Sequence, residues 1–248
     1  MERTQVSMPR PAREWISRNL KWCRSSALSS DIELLKQLAY QALDDLSAEF
    51  KDVGGLNLLS DLTLEIQVHK GRRPEAAMQT NVRDGRPHAV LEILAPSRYA
   101  PGARTIVNEP KDRVYVHKTL VHELSMLFLW QITRRKAVGW EFFCAPDWFV
   151  DGWEEYLALT RSSEHTRTVT LSLYRQQVKS KWLSRVAPTI NRYLDGPIVL
   201  EFMHERFSRG RLFQLLQSNR CTFADALIAT LDCDEVVLFE SWRQWLAS

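Results

Sequence analysis

Leu120-Val-His-Glu-Leu-Ser-Met126 and Pro146-Asp-Trp-Phe-Val-Asp-Gly-Trp-Glu-Glu-Tyr156 are the two stretches that decide how this chain reads. Residues four apart share one face of a helix. A helix carrying His-Glu-x-x-His uses that spacing to set two imidazoles on a metal ion, with the Glu placed to activate a bound water. His122 and Glu123 occupy the first two positions, and Met126 stands where the second imidazole would be. In the second stretch Trp148, Asp151, Gly152, Glu155, Tyr156 and Leu159 follow i, i+3, i+4 spacing. Phe149, Val150, Trp153 and Leu157 cover most of the remaining circumference, so Asp151 and Glu155 are expected on a face packed inside the protein. A buried carboxylate needs a partner or takes up a proton. His122, on the other apolar helix, is the partner that periodicity and burial cost point to.

Working outward, residues 1–12 read as a loose polar leader. Trp15, Ile16, Leu20 and Trp22 predict an amphipathic helix from about Ala12 to Cys23. Ser29-Ser30-Asp31 offers N-caps for a helix with apolar positions from Ile32 to Leu46, closed by Gly54-Gly55. Leu62–Val68 alternates as a half-buried strand, Met78–Val82 is a candidate short strand, Asp84-Gly85 a turn, and Ala89–Ala95 a further strand closed by Pro96. The His122 helix is expected over about Lys111–Arg135 and the Asp151 helix over Asp147–Leu159. A helix ending by Pro188 follows, then one from Asp195-Gly-Pro197 broken at Gly210, a short one over Leu212–Gln217, and two capped by Thr222 and by Asp232 or Asp234.

The 248 residues are 45% hydrophobic and 25% charged, the balance of a folded domain with a real core. A net charge of +3 gives no support for a nucleic-acid partner. No apolar run approaches a membrane span, and Met1–Arg13 lacks the apolar core of a secretory signal; the expected location is cytoplasmic. Cys23, Cys144, Cys221 and Cys233 form no Cys-x-x-Cys pair and are expected as reduced, small buried hydrophobes. Nine Trp predict a bulky aromatic core.

The Asp151 stretch resembles the third-ligand helix of the gluzincin zinc metallopeptidases, whose pattern there is roughly Trp-x-x-Glu-Gly-x-Ala-Glu-Tyr. Trp148, Asp151, Gly152, Glu154, Glu155 and Tyr156 stand at the corresponding places. The likeness runs from about Ser30 to the C-terminus. In the peptidase MA-like group a helical and stranded portion precedes the metal helix, and a strand like Ala89–Ala95 lies beside the cleft. A helical tail follows, which Asp195–Met203, Arg211–Leu216, Thr222–Leu227 and Trp242–Leu246 resemble. The resemblance implies an α+β fold: a zincin-like domain with a small mixed sheet packed on a buried active-site helix, followed by an all-helical C-terminal subdomain. Its parts would be a leader and helix over 1–29, the sheet and His122 helix over 30–136, and the Asp151 helix and tail over 137–248. It also implies His122 and Asp151 as metal ligands, Glu123 as general base, Glu155 as the carboxylate that orients a ligand His, and Tyr156 as a candidate catalytic residue.

The departures from that pattern set the functional expectation. A thioether at Met126 is soft and suits Cu(I) far better than Zn(II). Asp151 is one methylene shorter than Glu, and Glu154 stands where Ala is usual. A catalytic zinc takes three protein ligands and one open position. His117, five residues before His122, projects from a different face. His165 and His204 are the candidates to replace the missing imidazole, and His69 and His88 flank strands; each of these is otherwise an ordinary surface or capped histidine. The expected protein is a non-catalytic domain with a degenerate zinc site that binds a peptide or protein partner. It would carry no cofactor unless a rescued site takes zinc. The alternative is an active metal-dependent peptidase or hydrolase with an unusual ligand set. A nucleic-acid scaffold using Arg206, Arg209, Arg211 and Arg72-Arg73 is disfavoured by the small net charge. The oligomeric state is left open.

Overall fold

Asp84 and Gly85 both have positive φ (51° and 76°), the backbone that a two-residue hairpin requires. They join β3 (Ala76–Arg83) to β4 (Arg86–Leu94) in antiparallel register, Met78 opposite Leu91 and Thr80 opposite Ala89. A computed structural model describes residues 15, 18–23, 29–71, 75–100, 102–103, 112–134, 145–161, 164–184, 190–218, 220 and 222–248, with the side chains of 134, 164–170 and 183–184 outside that description. β4 also pairs in parallel with β2 (Thr63–His69), and β2 in parallel with β1 (Leu20–Cys23), giving the order β1-β2-β4-β3. The sheet is small and mixed, and the rest of the fold is mainly helical: the chain is α+β. Among the described residues β3 is an edge strand.

Alternation decides which sheet face is covered. Leu64, Ile66 and Val68 on β2 and Ala89, Leu91 and Ile93 on β4 are buried, while the residues between them are half-exposed. Each aliphatic side chain so buried contributes roughly 1.5–3 kcal/mol. Helix α1 (Ser29–Glu49) buries Leu35, Leu38, Leu43 and Leu46 and packs along α2 (Arg113–Arg134), which lies beside β3. Leu120, Val121, Leu124, Leu127 and Phe128 make α2 apolar on several sides. Its hydroxyls turn back onto its own carbonyls, the buried Ser125 donating to His122 O at 2.7 Å and the half-buried Thr119 to Tyr115 O at 3.0 Å.

The remaining helices are α3 (Asp147–Arg161), α4 (Glu164–Ser184), α5 (Gly196–Arg206), α6 (Arg209–Leu216), α7 (Phe223–Leu231) and α8 (Glu235–Ala247). A Cβ at Gly152 would lie 2.8 Å from the Gly196 backbone, and one at Gly196 would lie 2.6 Å from the Trp148 carbonyl. Glycine at both places lets α3 and α5 touch backbone to backbone, which fixes the depth of the acidic face of α3. Aromatic rings fill the space around them: Trp148, Phe149, Trp153, Phe223, Phe239 and Trp242 form edge-to-face and tilted pairs.

Three expectations are corrected. Leu20–Cys23 is a strand, not the end of a helix; pairing with β2 outweighs an apolar spacing that fits either period, although Trp15 is helical and buried. Gly210 does not break the helix begun by Asp195-Gly-Pro197. The break falls at Phe207–Ser208, where the Ser208 hydroxyl caps α6 by accepting from Arg211 N, and Gly210 sits inside the first turn of α6. Cys23 is exposed and donates to Glu65 at 3.0 Å, whereas Cys233 is buried and free; Cys144 and Cys221 lie outside the described residues. Asp31 lies within the first turn of α1: it is buried and accepts from Ser97 N and Oγ at 2.9 and 2.7 Å, tying α1 to the loop after β4. No helix among the described residues is long and apolar enough to cross a membrane.

Candidate functional site

A cleft of about 390 Å3 lies along α2, lined from β3 by Ala76 and from the helices and turns by Tyr115, His122, Glu123, Tyr174 and Tyr193, among others. Lys118 and His122 also line it and are four residues apart, so one helix face carries both. Glu155, buried on α3, lies between them. Its Oε2 is 3.2 Å from His122 Nδ1 and its Oε1 is 3.0 Å from Lys118 Nζ. Tyr174, on α4, donates its hydroxyl to the same Oε1 at 3.0 Å, and Lys118 reaches that hydroxyl at 3.5 Å. Both oxygens of one carboxylate are thus held by cations.

The charges follow from this packing. Burial alone would raise the Glu155 pKa, but Lys118 and His122 overcome it and hold the carboxyl well below its usual range. Burial works against a charged His122; the close contact with Glu155 and the charges of Glu154, Glu155 and Glu123 reverse that and lift it to about 9. Glu154 is buried beside the other ring nitrogen, its Oε2 3.6 Å from His122 Nε2. Burial chiefly, with Asp151, Glu123 and Glu155 adding repulsion, pushes Glu154 up to about 8 against the pull of His122.

Asp151, one turn before Glu155, takes a different partner. Arg192, from the turn ahead of α5, puts its guanidinium 3.0 Å from Asp151 Oδ2 and 3.5 Å from Asp147 Oδ2. The same guanidinium lies 4.8 Å from the centroid of the Tyr193 ring, and that ring stands 6.2 Å from the His122 ring. Burial raises the Asp151 pKa, opposed by Arg192 and His122. Glu123 lines the cleft with its pKa raised by burial, while His122 and the backbone N–H of Met78 on β3 pull it back. Among the described residues no cation lies within ion-pairing distance of Glu123.

No family model, no curated protein and no solved structure matches the chain.

The geometry of the site brings His122, Glu123, Glu154 and Glu155 together, with Asp151 close enough to feel the His122 charge. The side chains do not fit a catalytic zinc. Both imidazole nitrogens of His122 face carboxylates, Asp151 is bound to Arg192, and Met126, half-buried one turn beyond His122, offers a thioether. A metal ligand is ordinarily oriented by a neighbouring carboxylate; Glu155 does this at Nδ1, but Glu154 lies beside Nε2, the nitrogen left for an ion. Among the described residues no group of three or more His, Cys, Asp or Glu is arranged to hold a metal ion.

The other histidines are elsewhere. His117 is not a surface residue: it is buried, 3.6 Å from Asp45, and burial with the Arg113 charge pushes its pKa down to about 4. His204 stacks on Tyr156 at 4.7 Å and packs edge-on to Trp153, and burial with the charges of Arg209 and Arg161 brings it to about 4. Tyr156 is thereby committed to α5, not to the cleft. His88 lies 3.9 Å from Glu65 in the sheet. The side chain of His165, and Arg72 and Arg73, lie outside the described residues. Arg209 and Arg211 pair with Glu49 and Asp232.

Sequence reasoning missed Lys118, Tyr174, Arg192 and Tyr193. Lys118 carried a usable signal, since it stands one helical turn before His122 on the same face. Arg192, Tyr193 and Tyr174 reach the site only through the path of the turn and of α4, which no local period announces.

Proposed function

We propose that this is a non-catalytic domain of zincin-like design that binds a peptide or protein segment in the cleft beside β3, its former metal centre replaced by an internal ion network. One observation carries the reading: the carboxylates that a zinc centre would employ already have organic cations, Arg192 on Asp151 and Lys118 with His122 on Glu155. A dication entering this space would have to displace or repel those cations. The position of an antiparallel edge strand beside the His122 helix supports an extended ligand, because an edge strand can take strand addition; the Met78 N–H, which donates to Glu123, is not among the groups it offers.

The test is turnover of a mixed fluorogenic peptide library by zinc-treated protein, with and without chelator, beside Glu123→Gln. The reading expects background rates in every arm. Hydrolysis that chelation and Glu123→Gln both abolish would favour the other reading, an active metal-dependent peptidase using Glu123 as base.

A further inference from the structure

The cleft wall is acidic, through Glu123 and Glu75. Among the described residues its cations are Lys118 and His122; both lie within 3.2 Å of Glu155, so neither is available to a ligand unless that carboxylate is displaced. Of the lining carboxylates, Glu155 is neutralised in this way and Glu75 accepts from the Tyr115 hydroxyl at 2.7 Å. Glu123 remains, in the cleft wall and without a cation among the described residues. A half-buried carboxylate with no cation in ion-pairing distance is a group that a ligand cation stabilises.

The walls suit the same chemistry. Tyr115, Tyr174 and Tyr193 line the cleft, and an electron-rich ring face attracts ammonium and guanidinium groups. The protein already uses two of these rings so: Arg192 lies 4.8 Å from the Tyr193 centroid and Lys118 lies 5.4 Å from that of Tyr174. Tyr115 and Glu123 are eight residues apart on α2, hence on one side of the helix, with Thr119 between them lining the same wall. A space of about 390 Å3 exceeds what one long side chain needs and lies within the roughly 300–1,000 Å3 of ordinary ligand pockets.

Resting on the peptide-binding reading above, we infer that the cleft selects a ligand carrying a cationic group, a lysine ammonium or an arginine guanidinium, which is anchored by the Glu123 carboxylate and flanked by the tyrosine rings. Among the described residues an acidic ligand finds no open cation in the cleft wall, and it meets Glu123. Glu123, placed where the family resemblance has its general base, serves here as a binding anchor.

The experiment is calorimetric titration of the full chain with three blocked peptides, acetyl-Ala-Ala-X-Ala-Ala-amide, in which X is Lys, norleucine or Glu. One charge-assisted hydrogen bond in a partly desolvated site makes the Lys peptide about tenfold to a hundredfold tighter than the norleucine peptide, with the Glu peptide weakest. Glu123→Gln, nearly identical in shape, abolishes the preference, so that the Lys peptide binds no more tightly than the norleucine peptide. Tyr193→Leu, at a ring 48% exposed, weakens the Lys peptide selectively without endangering the fold. Raising the salt concentration narrows the Lys preference. Equal affinity for Lys and norleucine in the unmodified protein overturns the cation anchor and leaves peptide binding standing. Absence of binding by all three peptides removes the peptide-binding reading and the anchor with it.

Discussion

Lys118→Met takes the ammonium from Glu155 while keeping most of the apolar stem that packs in the cleft wall. Lys118 Nζ lies 3.0 Å from Glu155 Oε1, and the two side chains are only 7% and 11% exposed. Breaking a buried pair from one side costs about 3–5 kcal/mol, because the surviving charge stays out of water. His122 remains 3.2 Å from the other oxygen and Tyr174 still donates to Oε1, which places the loss at the lower end, about 3 kcal/mol. Denaturant unfolding at neutral pH, followed by tryptophan fluorescence, measures it. Glu155→Gln in the same background removes the orphaned charge, so the double variant recovers part of the loss and the cycle yields a coupling of about 2 kcal/mol. A Lys118→Met protein within about 0.5 kcal/mol of the unmodified chain, or two single losses that simply add, would refute the ion network as a structural unit.

His122 has a folded pKa of about 9 against the usual 6.5, so its protonated form stabilises the fold fully below about pH 6.5 and that contribution is lost as pH rises through 9. Unfolding free energy is expected to fall by up to about 3 kcal/mol across that window, and His122→Gln to flatten it. Glu155 acts at the other end: its carboxyl is held low, so its contribution is present at neutral pH and is lost as pH falls below the ordinary carboxylate range. Gly152→Ala sets a methyl 2.8 Å from the Gly196 backbone and should cost about 1–3 kcal/mol or more, read as a lowered thermal midpoint; an unchanged midpoint would mean that α3 and α5 do not meet there. Met126→His alone is expected to bind zinc poorly, because Arg192 still holds Asp151, whereas Met126→His with Arg192→Leu binds it distinctly more tightly. Equal zinc affinity in the two, measured by competition with a chromophoric chelator, would remove Arg192 from the account.

The elements that carry the site were legible because their periods are clear. α2 and α3 are apolar on several sides, and β2 and β4 alternate without interruption. Burial cost alone pointed His122 at the carboxylates of α3, Asp151 or Glu155, since an interior carboxylate must find a charge; it did not say that Glu155 is the one in contact. The partner of Asp151 was not readable. Arg192 belongs to a short turn and reaches α3 because the Gly152–Gly196 contact draws α5 against it. Lys118 looked like one more helix lysine; its burial depends on where Tyr174 falls, 56 residues later in the chain. β1 was misread because Leu20 and Trp22 satisfy a strand as well as a helix, and only the parallel partner Leu64–Ile66 decides between them.

The account rests on organic cations standing where a zinc centre would need open carboxylates. Metal analysis of the full chain, stripped with chelator, incubated with excess zinc and passed through a desalting column, tests this most directly. The account predicts far less than one zinc per chain retained, and no shift of the thermal midpoint on adding zinc. One tightly held zinc per chain, lost on His122→Ala, would contradict it.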